Sequence, residues 1–203
     1  MDPSSIAVVR PGARRVPRSL RDLPVLPGTG SDLSDDITGY RRLLVVGSDR
    51  DLSAVLTKLL RADRLDIEVA HLRRPWAARA ARTAPAGRVP LIRDETGTVI
   101  AGAALWLPPD GARTVRGEAI VDDERLFDGD VTGVRIEPTT AMPGLRATVL
   151  TGPMRPKRWI SGRAAQLGTS GAVVVRDGEP AKRPVRRSTF YRHTQGWLRV
   201  GRG

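Results

Sequence analysis

Apolar residues change their spacing near residue 89, and the change divides the chain into two kinds of structure. Leu43-Leu44-Val45-Val46 is an unbroken apolar run, the pattern of a strand covered on both faces. Gly47-Ser48-Asp49 interrupts it, and Asp49 is placed to cap a helix, with Asp51 adding negative charge at the positive helix end. Leu52, Val55, Leu56, Leu59 and Leu60 then recur at helical spacing and predict a helix with one buried face. Ile67 to Ala70 supplies a second strand. Pro75 opens a short helix to about Ala84, because proline suits the first helical turn. Strand, loop, helix and strand in this order make an α/β layer with a small parallel sheet.

From Val89 onward the texture is β. Val89–Ile92, Thr98–Leu107, Gly117–Val121, Val131–Ile136, Leu145–Leu150, Val173–Val175 and Trp197–Val200 read as strands. Asp94-Glu95-Thr96-Gly97, Asp110-Gly111, Asp128-Gly129, Pro143-Gly144 and Asp177-Gly178 supply the turns between them. The predicted class is therefore α/β plus β, a parallel-sheet part over 41–88 followed by a β-rich, sandwich-like part over 89–203. Residues 1–40 read as a lead-in, partly disordered and punctuated by Pro3, Pro11, Pro17, Pro24 and Pro27.

Charge sharpens this division. Residues 1–24 carry five arginines against two aspartates, residues 25–150 carry 17 basic against 18 acidic side chains, and residues 151–203 carry 12 against two. The last quarter thus holds most of the net +12 and is expected to attract phosphate-bearing partners: nucleotide, anionic lipid or nucleic acid. Only Lys58, Lys157 and Lys182 among the 34 basic residues are lysines, the usage expected of a GC-rich bacterial genome. The chain has no cysteine, which excludes disulfides, thiolate nucleophiles and cysteine-held zinc or iron–sulfur sites. No apolar run approaches the roughly 18 residues of a membrane span. Arg10, Arg14, Arg15 and Arg18 are followed by no apolar h-region, so no signal peptide is expected. A cytoplasmic protein, in one reading peripheral to the inner membrane face, is the resulting expectation.

Three places could carry chemistry. Gly47, Ser48, Asp49 and Arg50 lie where α/β proteins bind ligands, at a strand's carboxyl end ahead of a helix; the bend is either a phosphate site or an ordinary capped connection. Asp122 and Asp123, with Glu124, Asp128 and Asp130 nearby, are either Mg²⁺ ligands or a solvated loop. Arg183, Arg186, Arg187, Arg192 and Arg199 alternate with Phe190, Tyr191 and Trp197, which suits either an anion-binding segment or a strand pair with rings inward. No Walker A, G-x-G-x-x-G, H-E-x-x-H or G-x-S-x-G pattern occurs, so P-loop, dinucleotide, zinc-protease and serine-elbow chemistry have no support.

Leu43 to Leu60, LLVVGSDRDLSAVLTKLL, resembles the strand, Gly-Gly-Asp-Gly-Thr loop and apolar helix of the diacylglycerol kinase catalytic-domain family, which shares the NAD-kinase-like fold. Gly47 matches the first glycine and Asp49 the aspartate. Asp177-Gly178-Glu179 is similar to the family's D-G-E turn between late strands. Ser48, Arg50 and Asp51 replace two glycines and the threonine, and Cβ atoms at such places keep backbone away from phosphate. The family's later Gly-Thr-Gly-Asn-Asp-like motif has only a look-alike, Pro27 to Asp32, in the wrong order. The resemblance implies ATP and Mg²⁺ as cofactors and transfer of phosphate to a diacylglycerol-type lipid, or a catalytically degenerate relative. The alternative is a non-enzymatic basic module for anionic membrane or nucleic acid.

Overall fold

The computed structural model describes residues 5–10, 14–27, 35–73, 77–151 and 155–201. They fall into two compact units, Met1–Val89 with Gln195–Gly203, and Pro90–Thr194. The look-alike motif falls almost wholly outside the described residues, as do Arg74, Pro75 and Trp76.

The first unit is a six-stranded sheet. Its strands are β1 (Ile6–Arg10), β2 (Val25–Pro27), β3 (Arg42–Val45), β4 (Glu68–His71), β5 (Ala86–Val89) and a closing strand, Trp197–Val200. They lie in the order β2-β1-β3-β4-closing strand-β5, parallel throughout except where the closing strand meets β5. The adjacent strands β1 and β3 are apolar on both faces: Ala7, Val8, Val9, Leu43, Leu44 and Val45 are all fully buried. Helix α1 (Asp49–Arg61) buries Leu52, Val55, Leu56 and Leu59, the stripe that the spacing predicts. The opposite face packs Ile6, Val8, Leu44, Val46, Ala70 and Leu72 against Leu20, Leu23 and the alanines of α2 (Ala78–Thr83).

Two boundaries differ from the sequence expectation. Ile6–Arg10 and Val25–Pro27 lie inside the sheet and not in a lead-in, because Ile6 to Val9 supplies a second buried strand against β3. The closing strand leaves the β-rich part and pairs with β4 and β5, where Trp197 and Val200 are buried. One buried charge stitches this sheet to α2. Arg42, 2% exposed, donates through Nε to its cross-strand partner Glu68 at 2.6 Å and through Nη1 to the Ala81 and Arg82 carbonyls at 2.9 and 2.8 Å. A guanidinium there satisfies carbonyls at a helix C-terminus, where positive charge is favoured.

The second unit is antiparallel. It contains β6 (Ile92–Asp94), β7 (Val99–Ile100), β8 (Ala104–Leu107), β9 (Val115–Val121), β10 (Glu124–Val131), β11 (Val134–Pro138), β12 (Leu145–Thr151), β13 (Arg155–Pro156), β14 (Ile160–Gly162), β15 (Ala164–Arg176), β16 (Glu179–Pro180) and β17 (Val185–Arg192). The 13-residue β15 organises it: its first half pairs with β9 and β17, and its second half with β8 and β16. A single core results, centred on Trp106 and Phe190, whose ring centroids are 6.0 Å apart. The Trp106 indole nitrogen donates to buried Ser188 at 3.0 Å, so the large ring leaves no polar atom stranded. The chain therefore has a mixed parallel α/β unit and a β-rich unit, the class expected from sequence.

Candidate functional site

Three parallel strands deliver their carboxyl ends side by side in the first unit: β1 at Arg10, β3 at Val45 and β4 at His71. After β3 the backbone bends at Gly47 and Ser48 before α1 begins. Asp51, in the first turn, folds back under the bend. Its Oδ2 accepts the Ser48 N–H and the Ser48 hydroxyl, each at 2.7 Å. A Cβ on residue 47 would lie 2.7 Å from the Asp51 Cβ and 2.8 Å from its Cγ, so glycine is required here by the cap itself. Asp49 forms an ion pair with Arg73, just past β4.

His71 joins these two strand ends. Its Nε2 stands 3.1 Å from the Gly47 carbonyl, which can only accept, so Nε2 carries the proton. Its Nδ1 is 3.8 Å from Asp49 Oδ1, beyond hydrogen-bond reach. Burial pushes the imidazole below its ordinary 6.5, against the opposing pull of the Gly47 carbonyl and the Asp49 carboxylate. A depressed folded value means that the stability due to neutral His71 is complete above about pH 6.5 and is lost as pH falls through the folded value. Melting temperature is therefore expected to drop on acidification from pH 7 to about pH 5, more steeply for the parent than for His71→Asn. Identical slopes in the two proteins would show that His71 does not contribute.

The residues at the bend do not fit a nucleotide triphosphate held by backbone amides. Such a cradle needs N–H groups pointing outward. Here the Ser48 N–H is already donated to a carboxylate, and a second carboxylate, Asp49, stands beside it. Arg50 is exposed on the first turn of α1.

The other sequence-derived candidates are dispersed. Asp122 sits at the β9–β10 turn with φ of 49°, and its carboxylate accepts the Arg163 N–H at 2.9–3.0 Å and the Ala164 N–H at 2.9 Å. These amides give it a structural use. Among the described residues no group of three or more His, Cys, Asp or Glu side chains is arranged to hold a metal, Asp122 and Asp123 included. The loop expected over residues 122–130 is instead a β-hairpin with a bulge between Arg125 and Phe127. Arg186 and Arg187 are neighbours on β17, and strand alternation sends them to opposite faces. Arg192 donates to the Pro143 carbonyl at 2.9 Å. Arg183 is exposed in the loop before β17.

Sequence reasoning missed His71 and Arg73. The available signal was positional: His71 and Arg73 follow the predicted strand Ile67–Ala70, at the same sheet edge as the Gly47 bend.

No protein-family model matches the chain, and no curated protein does. Solved structures do. A diacylglycerol kinase from Bacillus anthracis str. Sterne superposes with a TM-score of 0.69 at 12% identity, covering 98% of this chain and 97% of that one. An NAD kinase from Archaeoglobus fulgidus, in complex with ATP, gives 0.65 at 14% identity over 97% of this chain and 93% of its own. Yeast NADH kinase, complexed with NADH, gives 0.64 at 8% identity, covering all of this chain and 84% of that one. With its parallel α/β unit, its β-rich unit and a last strand returning to the first sheet, the chain has the fold shared by diacylglycerol kinases and NAD kinases.

Proposed function

We propose that this chain is a catalytically degenerate relative of the kinases that share its fold, binding a nucleotide at the carboxyl edge of its parallel sheet without transferring phosphate. One observation carries the second half of the proposal: Asp51 occupies the Ser48 amide, and Asp49 adds another negative charge where a triphosphate would have to lie. Phosphoryl transfer depends on positioning and on neutralising developing negative charge, and this bend presents carboxylates instead. The first half is supported by the fold, by the ATP and NADH complexes of its neighbours, and by the cation Arg73 at the same edge.

The test has two readouts. ATP or NADH is expected to raise the melting temperature, since a ligand that prefers the folded state adds stability. In parallel, [γ-³²P]ATP with Mg²⁺ and either a diacylglycerol-type lipid or NAD is expected to give no incorporation above background. Labelled product would overturn the degenerate reading, and the absence of any nucleotide-induced shift would overturn nucleotide binding. The alternative of a basic module for membrane or nucleic acid has less support, because Arg192 is committed to a carbonyl. Among the described residues no helix is long and apolar enough to cross a membrane.

A further inference from the structure

Between Glu137 and Asp177 the chain carries six cations and no carboxylate. Four of them, Arg155, Lys157, Arg158 and Arg163, are exposed in one short stretch. Among the described residues β13 and β14 pair with β12 alone, so residues 155–162 form an edge of the antiparallel sheet. At about 3.3 Å per residue this edge runs on the order of 25 Å. Among the described residues no carboxylate pairs with the Arg155, Lys157 or Arg163 side chains. Arg158 meets Glu124 at 2.8 Å, but the two side chains are 76% and 48% exposed, and such a surface pair yields readily. Charge and proline on an edge strand keep other strands from adding to it, and Pro156 and Lys157 suit that use.

That use does not account for Arg146. Ile160 is buried, so Trp159 and Ser161 turn to the opposite face, where Arg146 is the cross-strand partner of Ser161. The Arg146 guanidinium lies over the Trp159 ring, its carbon 4.2 Å from the centroid. In its own plane it donates from Nε and Nη2 to Glu137 Oε2 at 3.0 and 2.6 Å. Glu137 is fixed in turn by Arg135, whose Nε donates to Oε1 at 2.6 Å. One guanidinium face is thus covered by indole, two in-plane donors are held by a carboxylate, and the side chain is still 45% exposed. A planar cation held flat against an aromatic ring is a surface on which a nucleobase stacks.

We infer that this edge of the β-rich unit binds single-stranded nucleic acid, with a base stacked on Arg146 and the phosphodiester backbone running along Arg155, Lys157 and Arg163. Bases in a duplex are stacked on each other and offer no face to such a platform. A membrane surface suits the cations, but stable docking takes a second, apolar signal. The large apolar side chains exposed among the described residues are Val25 and Met142, neither on this edge, and Trp159 lies beneath Arg146. An acidic protein segment would meet the charges and leave the platform unused. The inference does not rest on the nucleotide reading, and it uses none of the arginines of β17 or of the loop before it.

Fluorescence anisotropy of a labelled oligouridylate titrated with the full chain tests this. The parent is expected to bind it more tightly than a duplex of equal length, and to prefer it to phosphatidylserine vesicles or polyglutamate added as competitors. Arg146→Lys keeps the charge and loses the plane, and is expected to bind roughly tenfold more weakly. Arg155→Gln combined with Lys157→Gln is expected to weaken binding and to flatten the slope of log affinity against log salt by about 1.4, the share of two phosphates on a single strand. Arg186→Gln combined with Arg187→Gln removes the same charge from β17 and is expected to leave affinity nearly unchanged. All five positions are exposed, and melting temperatures close to the parent's verify that each variant folds. Absence of binding by the parent, indifference to Arg146→Lys, or an equal loss in the β17 pair would overturn the inference. So would a preference for vesicles or polyglutamate, which would make the edge a membrane or protein contact. Competition by ATP would also overturn it, by moving the oligonucleotide to the parallel-sheet edge.

Discussion

Asp177→Ala is expected to destabilise the chain by about 2–4 kcal/mol in chemical denaturation, through loss of several charge-assisted hydrogen bonds to one carboxylate. Asp177 occupies the β15–β16 turn with φ of 47°, ahead of Gly178 at 88°. Its Oδ2 accepts the Ala101 N–H at 2.9 Å, and its Oδ1 accepts those of Gly102 and Ala103 at 2.7 and 2.9 Å. Three successive amides turned toward one anion form a concavity that the chain fills with its own side chain. Alanine would leave all three donors unmet at a place where β7 must turn into β8. Asp177→Asn keeps one acceptor oxygen and should recover part of the loss. A variant as stable as the parent would show that this carboxylate is dispensable to the fold.

The same contact shows why the β-rich half was only partly legible. Thr98 to Leu107 reads as one strand because nothing in Ala101-Gly102-Ala103 signals a break, yet the break is imposed by a residue more than 70 positions away. Pro90 similarly divides the run from Val89 to Ile92, leaving β5 in one unit and β6 in the other. Asp122 to Asp130 reads as a loop from its charge. It folds as a hairpin because Phe127 is buried and the cross-strand partners Ala119 and Val121 face the core. In the α/β unit local signals suffice: the helical stripe from Leu52 to Leu59 and the apolar run at β3 specify α1 and the sheet beneath it. Ile6 to Val9 carries the same four-residue apolar signal, but it lies between Pro3 and Pro11 with no helical stripe after it, and its place in the sheet shows only with its partner β3. For the site, the bend was legible and its chemistry was not. Whether Asp51 caps Ser48 or faces outward is a matter of rotamer, and only coordinates show it.

Asp49→Asn is the substitution that most directly reads the sign of the site, and we expect it to tighten ATP binding by roughly tenfold. The Asp49 carboxylate holds Arg73 and faces the imidazole of His71. Removing its charge releases a guanidinium and lifts a repulsion from any phosphate arriving at the same edge. One unit charge a few ångströms from another is worth on the order of 1–4 kcal/mol near a protein surface, enough for a tenfold change. The cost to the fold should be small, about 1 kcal/mol or less, because the Arg73 side chain is 62% exposed and surface ion pairs contribute little. Arg73→Ala should act in the opposite direction and weaken ATP binding. If Asp49→Asn instead weakens it while the protein remains folded, the carboxylate is an acceptor for the ligand, and the bend is a working binding residue set and not a self-capped remnant. Titration of both variants decides between these outcomes, since a gain for one with a loss for the other is the pattern that only electrostatic competition for Arg73 produces.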